Sequence, residues 1–168
     1  LKWTAYPLKR VGAKMATSIV MRGPEGGGKN MLWECVRDIY GVYGTLITQT
    51  EIESQYNDWM SCKLFVIGNE VLSRREKWQL GGKLKNLVTE AQVPIQAKYM
   101  PSRLENNCCN LVFLSNDLLP VPLGEGNRSY LVIDAPNPHP DGAEFYRAVA
   151  DQIANGGVST PKAVLLGP

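Results

Sequence analysis

Apolar residues fall along this chain in short, dense runs, separated by stretches in which they recur every three or four positions. Thr17–Arg22 (TSIVMR) reads as a strand buried on both faces, and Lys63–Ile67, Asn110–Leu114 and Tyr130–Ile133 have the same character. Thr45–Thr48 (TLIT) is a shorter strand candidate, and VPIQAK (93–98) alternates apolar and polar residues as a half-exposed strand does. Between the runs the period lengthens. Asn30–Tyr40 places Leu32, Cys35, Val36 and Ile39 on one helical face, and Glu51–Met60 is a weaker, polar helix candidate. Ser73 with Glu76 predicts a capping box that opens a helix with the stripe Leu80, Leu84, Leu87 and Val88, which Gly81-Gly82 is expected to interrupt. Asp141 with Glu144 predicts another capped helix, running to about Ala154.

Buried strands alternating with helices predict an α/β fold: a mostly parallel sheet with helices on its faces. The chain of 168 residues suits one domain, and the Pro/Gly-rich stretches 120–127 and 135–142 are loops within it. Hydrophobic residues make up 44%, as in an ordinary globular protein. Net charge is only +2, so no nucleic-acid partner follows from overall charge; any such contact must rest on locally placed cations. Cys35, Cys62, Cys108 and Cys109 show no CxxC spacing, and the single His139 sits in a Pro-rich turn. That pattern argues against zinc and for reduced thiols in a cytoplasmic protein. No signal peptide and no apolar run near the roughly 18 residues of a membrane span is visible. The termini at Leu1 and Pro168 carry no clear tail, as expected of a piece of a longer protein.

Candidate chemistry begins at Gly23-Pro24-Glu25-Gly26-Gly27-Gly28-Lys29-Asn30, which has the spacing of a phosphate-binding loop and lies between a predicted strand and a predicted helix. Glycines let backbone N–H groups turn inward, the following helix adds its N-terminal amides, and Lys29 supplies a compact cation for the β- and γ-phosphates. Asn30 stands where a Ser or Thr hydroxyl usually meets Mg²⁺; its carboxamide oxygen is a neutral but hard donor. At the end of the second strong strand, Asn69-Glu70 fall at the sheet edge where ligands sit in parallel α/β folds. Glu70 is a candidate general base, and Asn69 takes the place of a carboxylate that orders metal-bound water.

Five segments in order resemble the AAA+-type ATPase core of superfamily-3 helicases from phage and viral primase–helicase proteins. GPEGGGKN (23–30) resembles the phosphate loop and LFVIGNE (64–70) the second acidic motif. LKNLVTEAQVPIQAKYM (84–100) is similar to the segment leading into a DNA-binding hairpin, NLVFLSND (110–117) to the strand ending in a polar sensor, and GEGNRSYLVID (124–134) to the segment with an arginine finger. The resemblance implies a P-loop domain with an inserted β-hairpin, working with ATP and Mg²⁺ in a ring, usually a hexamer, that moves single-stranded DNA. It implies Asn116 as sensor and Arg128 as the finger reaching the nucleotide next door. It also places Lys98 at a DNA-contacting position, and a primase or polymerase region upstream is common among such relatives.

At the hairpin, Lys98 beside Tyr99 suits a single strand, with Pro101-Ser102 supplying a turn and Arg103 a further cation. The alternative makes Lys98 a solvated charge and Tyr99 a core ring. Arg74, Arg75, Lys83 and Lys85 read as exposed helix charges, and one of Lys9, Arg10 and Lys14 as a contact to a neighbour's nucleotide. Three functions stay open: a DNA-stimulated ATPase and translocase, a ring that binds ATP and DNA or loads another protein without turnover, and a P-loop small-molecule kinase.

Overall fold

The computed structural model describes residues 2–70, 77–117, 128–135 and 138–157. It opens with a helix, α1 (Lys2–Lys9), followed by β1 (Ser18–Arg22), α2 (Lys29–Tyr40), a 3₁₀ turn and β2 (Gly44–Ile47). Then come α3 (Gln49–Glu53), a second 3₁₀ turn (Asp58–Met60), β3 (Phe65–Asn69), α4 (Lys77–Thr89) and the short strands β4 (Gln92–Ile95) and β5 (Arg103–Asn106). β6 (Asn110–Ser115), β7 (Tyr130–Asp134) and α5 (Gly142–Gln152) complete the set.

Five strands form one parallel sheet in the order β2-β3-β6-β1-β7, and β4-β5 form a separate antiparallel hairpin. Both faces of the sheet are covered, which is why its strands read as unbroken apolar runs. Successive residues part to opposite cores. Ile19, Met21, Phe65, Ile67, Val112 and Leu114 pack with Trp33 and Val36 of α2. Val20, Val66, Leu111 and Phe113 face the other way, onto Ile52, Leu84, Leu87 and Val88 from α3 and α4 and onto Val93 and Ile95 of the hairpin. The α/β expectation, the flanking helices and the hairpin are therefore all present.

Several local expectations need correction. α4 runs straight through Gly81-Gly82. A mid-helix glycine costs only about 1 kcal/mol, whereas Leu84, Leu87 and Val88, all buried, each contribute about 1.5–3 kcal/mol by leaving water. Ser73 and Glu76, and the side chain of Leu80, lie outside the described residues. The span 51–60 is not one helix but α3 and a 3₁₀ turn, broken where Ser54 leaves helical geometry at ψ 145°. The capping box sits instead at Thr48, whose backbone N–H donates to Glu51 at 2.7 Å. Asp141 precedes α5 but caps nothing with its side chain: at ψ 2° it lacks the extended backbone of a capping residue, and its carboxylate lies 3.5 Å from the His139 ring instead. α5 ends at Gln152, short of Ala154, in a wider turn kinked at Asn155 and Gly156. Helix α1 and strand β5 carried no periodicity strong enough to predict them.

Lysines placed at the surface by sequence also find partners. Lys83 donates to the carbonyls of Ile52 (2.6 Å) and Ser54 (2.7 Å), closing the C-terminus of α3. Lys14, a candidate for contact with a neighbour's nucleotide, turns inward: its ammonium donates to Leu87 O at 3.1 Å and to Cys109 O. Burial lowers it to about 8. No helix among the described residues is long and apolar enough to cross a membrane.

Candidate functional site

Strand order assembles the site. β6 lies between β3 and β1, so the residue after β6, Asn116, stands between the end of β3 and the glycine loop that follows β1. Lys29 Nζ donates to Asn116 Oδ1 at 2.9 Å, and Asn116 Nδ2 donates to Glu70 Oε1 at 2.8 Å and to Glu25 Oε1 at 3.3 Å. One carboxamide thus bridges an ammonium and a carboxylate of the glycine loop and a second carboxylate from the end of β3. Lys29 is almost fully buried, and its remaining donors go to its own loop, to Gly23 O at 2.8 Å and Pro24 O at 2.7 Å. Desolvation lowers its pKa, opposed by the charges of Glu25 and Glu70.

Glu70 owes its aim to the backbone. It has φ +50°, an uncommon left-handed conformation for a side-chain-bearing residue, and its N–H is held by Leu114 O at 3.0 Å. Asn69 ends β3 half-buried beside it, paired in register with Leu114, and Asn30 is exposed in the first turn of α2. Among the described residues no group of three or more His, Cys, Asp or Glu is arranged to hold a metal.

The residues present fit a polyphosphate. Gly26 (φ +75°) and Gly28 (φ +73°) hold the left-handed conformations that let successive N–H groups converge. Gly28 is the N-cap of α2 with no side-chain cap, and the first turn contains no acidic residue, so the helix's leading amides and positive dipole end are open to an anion. Gly26, Gly27, Gly28, Lys29, Asn30 and Met31, with Tyr146 of α5, line a groove of about 270 Å³. A larger apolar cavity of about 710 Å³ lies at the opposite edge of the sheet, between Pro7, Leu8, Tyr43, Leu64 and Cys108, away from these charges.

Arg128 is not part of this cluster. It is exposed and precedes β7, whose Tyr130 pairs with Ser18 and whose Asp134 pairs with Arg22, so it sits at the amino edge of the sheet while the glycine loop sits at the carboxyl edge. The length of β7 alone separates the two edges by roughly 13 Å. At the carboxyl edge Asp134 instead holds Arg22 at 2.6 Å.

The hairpin joins Gln92–Ile95 to Arg103–Asn106 and projects residues 96–102 as its tip. Tyr99 is 90% exposed at φ +64°, which rules out a core role, and Lys98 Nζ lies 4.9 Å from its ring centroid. Met100 is exposed beside them. Arg103 directly follows the tip: it opens β5 in the pair with Ile95 that flanks residues 96–102, bonded to Glu105 at 2.7 Å and to Ser61 Oγ at 3.0 Å. The residue not marked by the sequence is Tyr146; nothing in the pattern of α5 sets it apart as part of the loop's wall.

Similarity to known proteins runs through the same region. The model of a family of unknown function, DUF5906, matches residues 21–129, from the end of β1 to the start of the β7 segment. Over 140 residues the chain is 26% identical to the DNA primase-polymerase of Nitratiruptor phage NrS-1, covering 82% of this chain and 19% of that protein. The apo structure of the NrS-1 C-terminal region superposes with a TM-score of 0.84 at 23% identity, over 99% of this chain and 40% of that one. JCV helicase shares the fold at a TM-score of 0.55 and 11% identity, over 94% of this chain and 46% of that one. The chain therefore spans about a fifth of the curated relative and under half of these solved chains. With the match extending over more than half of its residues, the chain belongs to the DUF5906 family.

Proposed function

We propose that this domain is the ATP-driven motor core of a phage-type replication protein, a ring-forming translocase on single-stranded DNA. The observation that carries the reading is the Lys29–Asn116–Glu70 bridge beside a glycine loop with uncapped helix amides. Likeness to a phage primase-polymerase and a fold shared with a viral helicase support a role in replication.

Bound Mg-ATP supplies the phosphoanhydride whose hydrolysis drives the cycle. Lys29, itself almost fully buried, would give the donors now held by the carbonyls of Gly23 and Pro24 to the β- and γ-phosphate oxygens. Glu70 accepts the proton of the attacking water, and Asn116 holds that carboxylate in place while sensing the terminal phosphate. Asn30 and Asn69 would hold a magnesium ion through their carboxamide oxygens, directly or through water, and that ion would supply positive charge to the phosphates. Arg128, on the opposite edge of its own sheet, acts on the nucleotide of the adjacent subunit. Six hairpin tips, each with Lys98 and Tyr99, add individually weak contacts into a grip on one strand, and a primase or polymerase region belongs to the same protein.

The test is DNA-stimulated ATP hydrolysis: it should vanish in Lys29→Ala and in Arg128→Ala, and mixed rings of the two variants should regain part of it. Normal rates in either variant would overturn the roles assigned. A second reading, a ring that binds ATP and DNA without turnover, is favoured by the neutral donors at both metal positions. ATP binding with no hydrolysis even when DNA is present would select it.

A further inference from the structure

The short segment from Pro138 to Tyr146 contributes to neither core, yet it carries a cluster of three rings, one of which, Tyr146, packs on the glycine loop. No residue of α5 is buried. The Tyr146 ring nevertheless packs so closely on Gly28 that a Cβ there would come within 2.9 Å of Cε1. The phenol oxygen accepts the backbone N–H of His139 at 3.2 Å. The His139 ring stacks on Phe145 at 4.0 Å between centroids and 9° between planes, and Phe145 meets Tyr146 edge to face at 5.3 Å. Pro138 closes the row, 3.7 Å from where a Cβ of Gly26 would stand. Tyr146 is thus held at both ends, by the loop and by the His139 amide, and braced from the side. Aromatic rings are ordered in this way for contact, and core packing does not account for this contact.

We infer that Tyr146 is the stacking platform for the nucleobase of the bound triphosphate, with Met31 lining the same groove. The inference rests on the nucleotide reading above and adds the part of the ligand that recognises it. Among the described residues, Tyr146 is the one that lines the groove from outside 26–31, and it stands beside the loop that would take the phosphates. A base carried by phosphates at the start of α2 leaves the loop alongside Asn30 and Met31, and a phenol ring and a thioether are both good neighbours for a π face. Stacking on a ring face selects ring area over base identity. The ligand class is therefore purine triphosphates, with adenine and guanine bound about equally and pyrimidines more weakly.

Titration calorimetry of the chain with magnesium and ATP, GTP, CTP or inorganic tripolyphosphate separates the two claims. Tyr146→Ala should weaken ATP and GTP roughly tenfold and leave tripolyphosphate unchanged, while Tyr146→Phe stays within about threefold of the unsubstituted protein. An equal loss for ATP and tripolyphosphate in Tyr146→Ala would make Tyr146 a prop for the loop and overturn the inference. So would unaltered ATP affinity, or an unsubstituted protein that binds tripolyphosphate as tightly as ATP. If it bound neither, the nucleotide reading itself would fall.

Discussion

Asn116 Oδ1 accepts a hydrogen bond from Lys29 at 2.9 Å while its amide nitrogen donates to Glu70 at 2.8 Å, so one neutral side chain holds the site's cation and its carboxylate in register. That arrangement separates binding from turnover. Asn116→Ala removes three hydrogen bonds to charged groups, to Lys29, Glu70 and Glu25, each worth about 1.5–3 kcal/mol at most. Hydrolysis should fall by about 10- to 100-fold with ATP affinity changed less than fivefold. An equal loss in both would mean Asn116 serves the ground state, and its sensing role would be abandoned.

If Asn30 and Asn69 face magnesium as proposed, their neutral carboxamides predict a weak grip on it. Asn69→Asp places a charge beside Glu70 at the end of β3 and should lower the magnesium concentration needed for half-maximal ATP hydrolysis by about tenfold, without raising ATP affinity in its absence. No shift in the magnesium titration would remove Asn69 from the metal's surroundings.

Tyr99 and Lys98 are exposed at the hairpin tip, so altering them should not touch stability. Tyr99→Ala should weaken single-stranded DNA binding about tenfold per site through lost stacking, independently of salt. Lys98→Ala should flatten the log affinity against log salt slope by about 0.7 per site. A mutant tip with unchanged affinity and slope would direct attention to another surface.

Gly82 lies inside α4 with open space where a Cβ would stand. Gly82→Ala should stabilise the fold by about 0.5–1 kcal/mol, read as a rise in the urea midpoint at constant slope. A drop would show that the helix needs glycine's freedom there.

Alkaline stability follows from buried groups with opposed signs. Burial raises the Cys109 thiol to about 12 from 9.0, and the Tyr40 and Tyr130 hydroxyls to about 12 from 10.0. The folded chain keeps these protons after the unfolded chain has lost them, so stability falls as pH rises from about 9 towards 12. Lys14 runs the other way: lowered to about 8 from 10.5, it makes stability rise over that interval. Urea midpoints should therefore climb from about pH 8 to 9 and decline above about 10, and Lys14→Met should abolish the climb. Midpoints still rising at pH 11 would contradict the burial of these groups.

The periodic signals carried most of the architecture. Strands β1, β3, β6 and β7 and helix α2 were legible because a sheet covered on both faces demands unbroken apolar runs, and a helix on its surface demands a 3.6-residue stripe. The spacing of Gly23 to Lys29 and the polar ends of β3 and β6 likewise marked the residues that now lie together. What failed were elements with little to bury. α1 and β5 have weak patterns, and the Asp141 cap depended on a backbone angle that composition does not encode.

By itself the sequence determined which residues bury and which loop can turn its amides inward, because periodicity and glycine spacing are local properties. Only the tertiary structure decided that Asn116 bridges Lys29 and Glu70, that Arg128 faces away from its own glycine loop, and that Tyr146 leans on Gly28. Those relations depend on strand order and on packing between distant segments, and no pattern along the chain records which carboxyl ends a parallel sheet will set side by side.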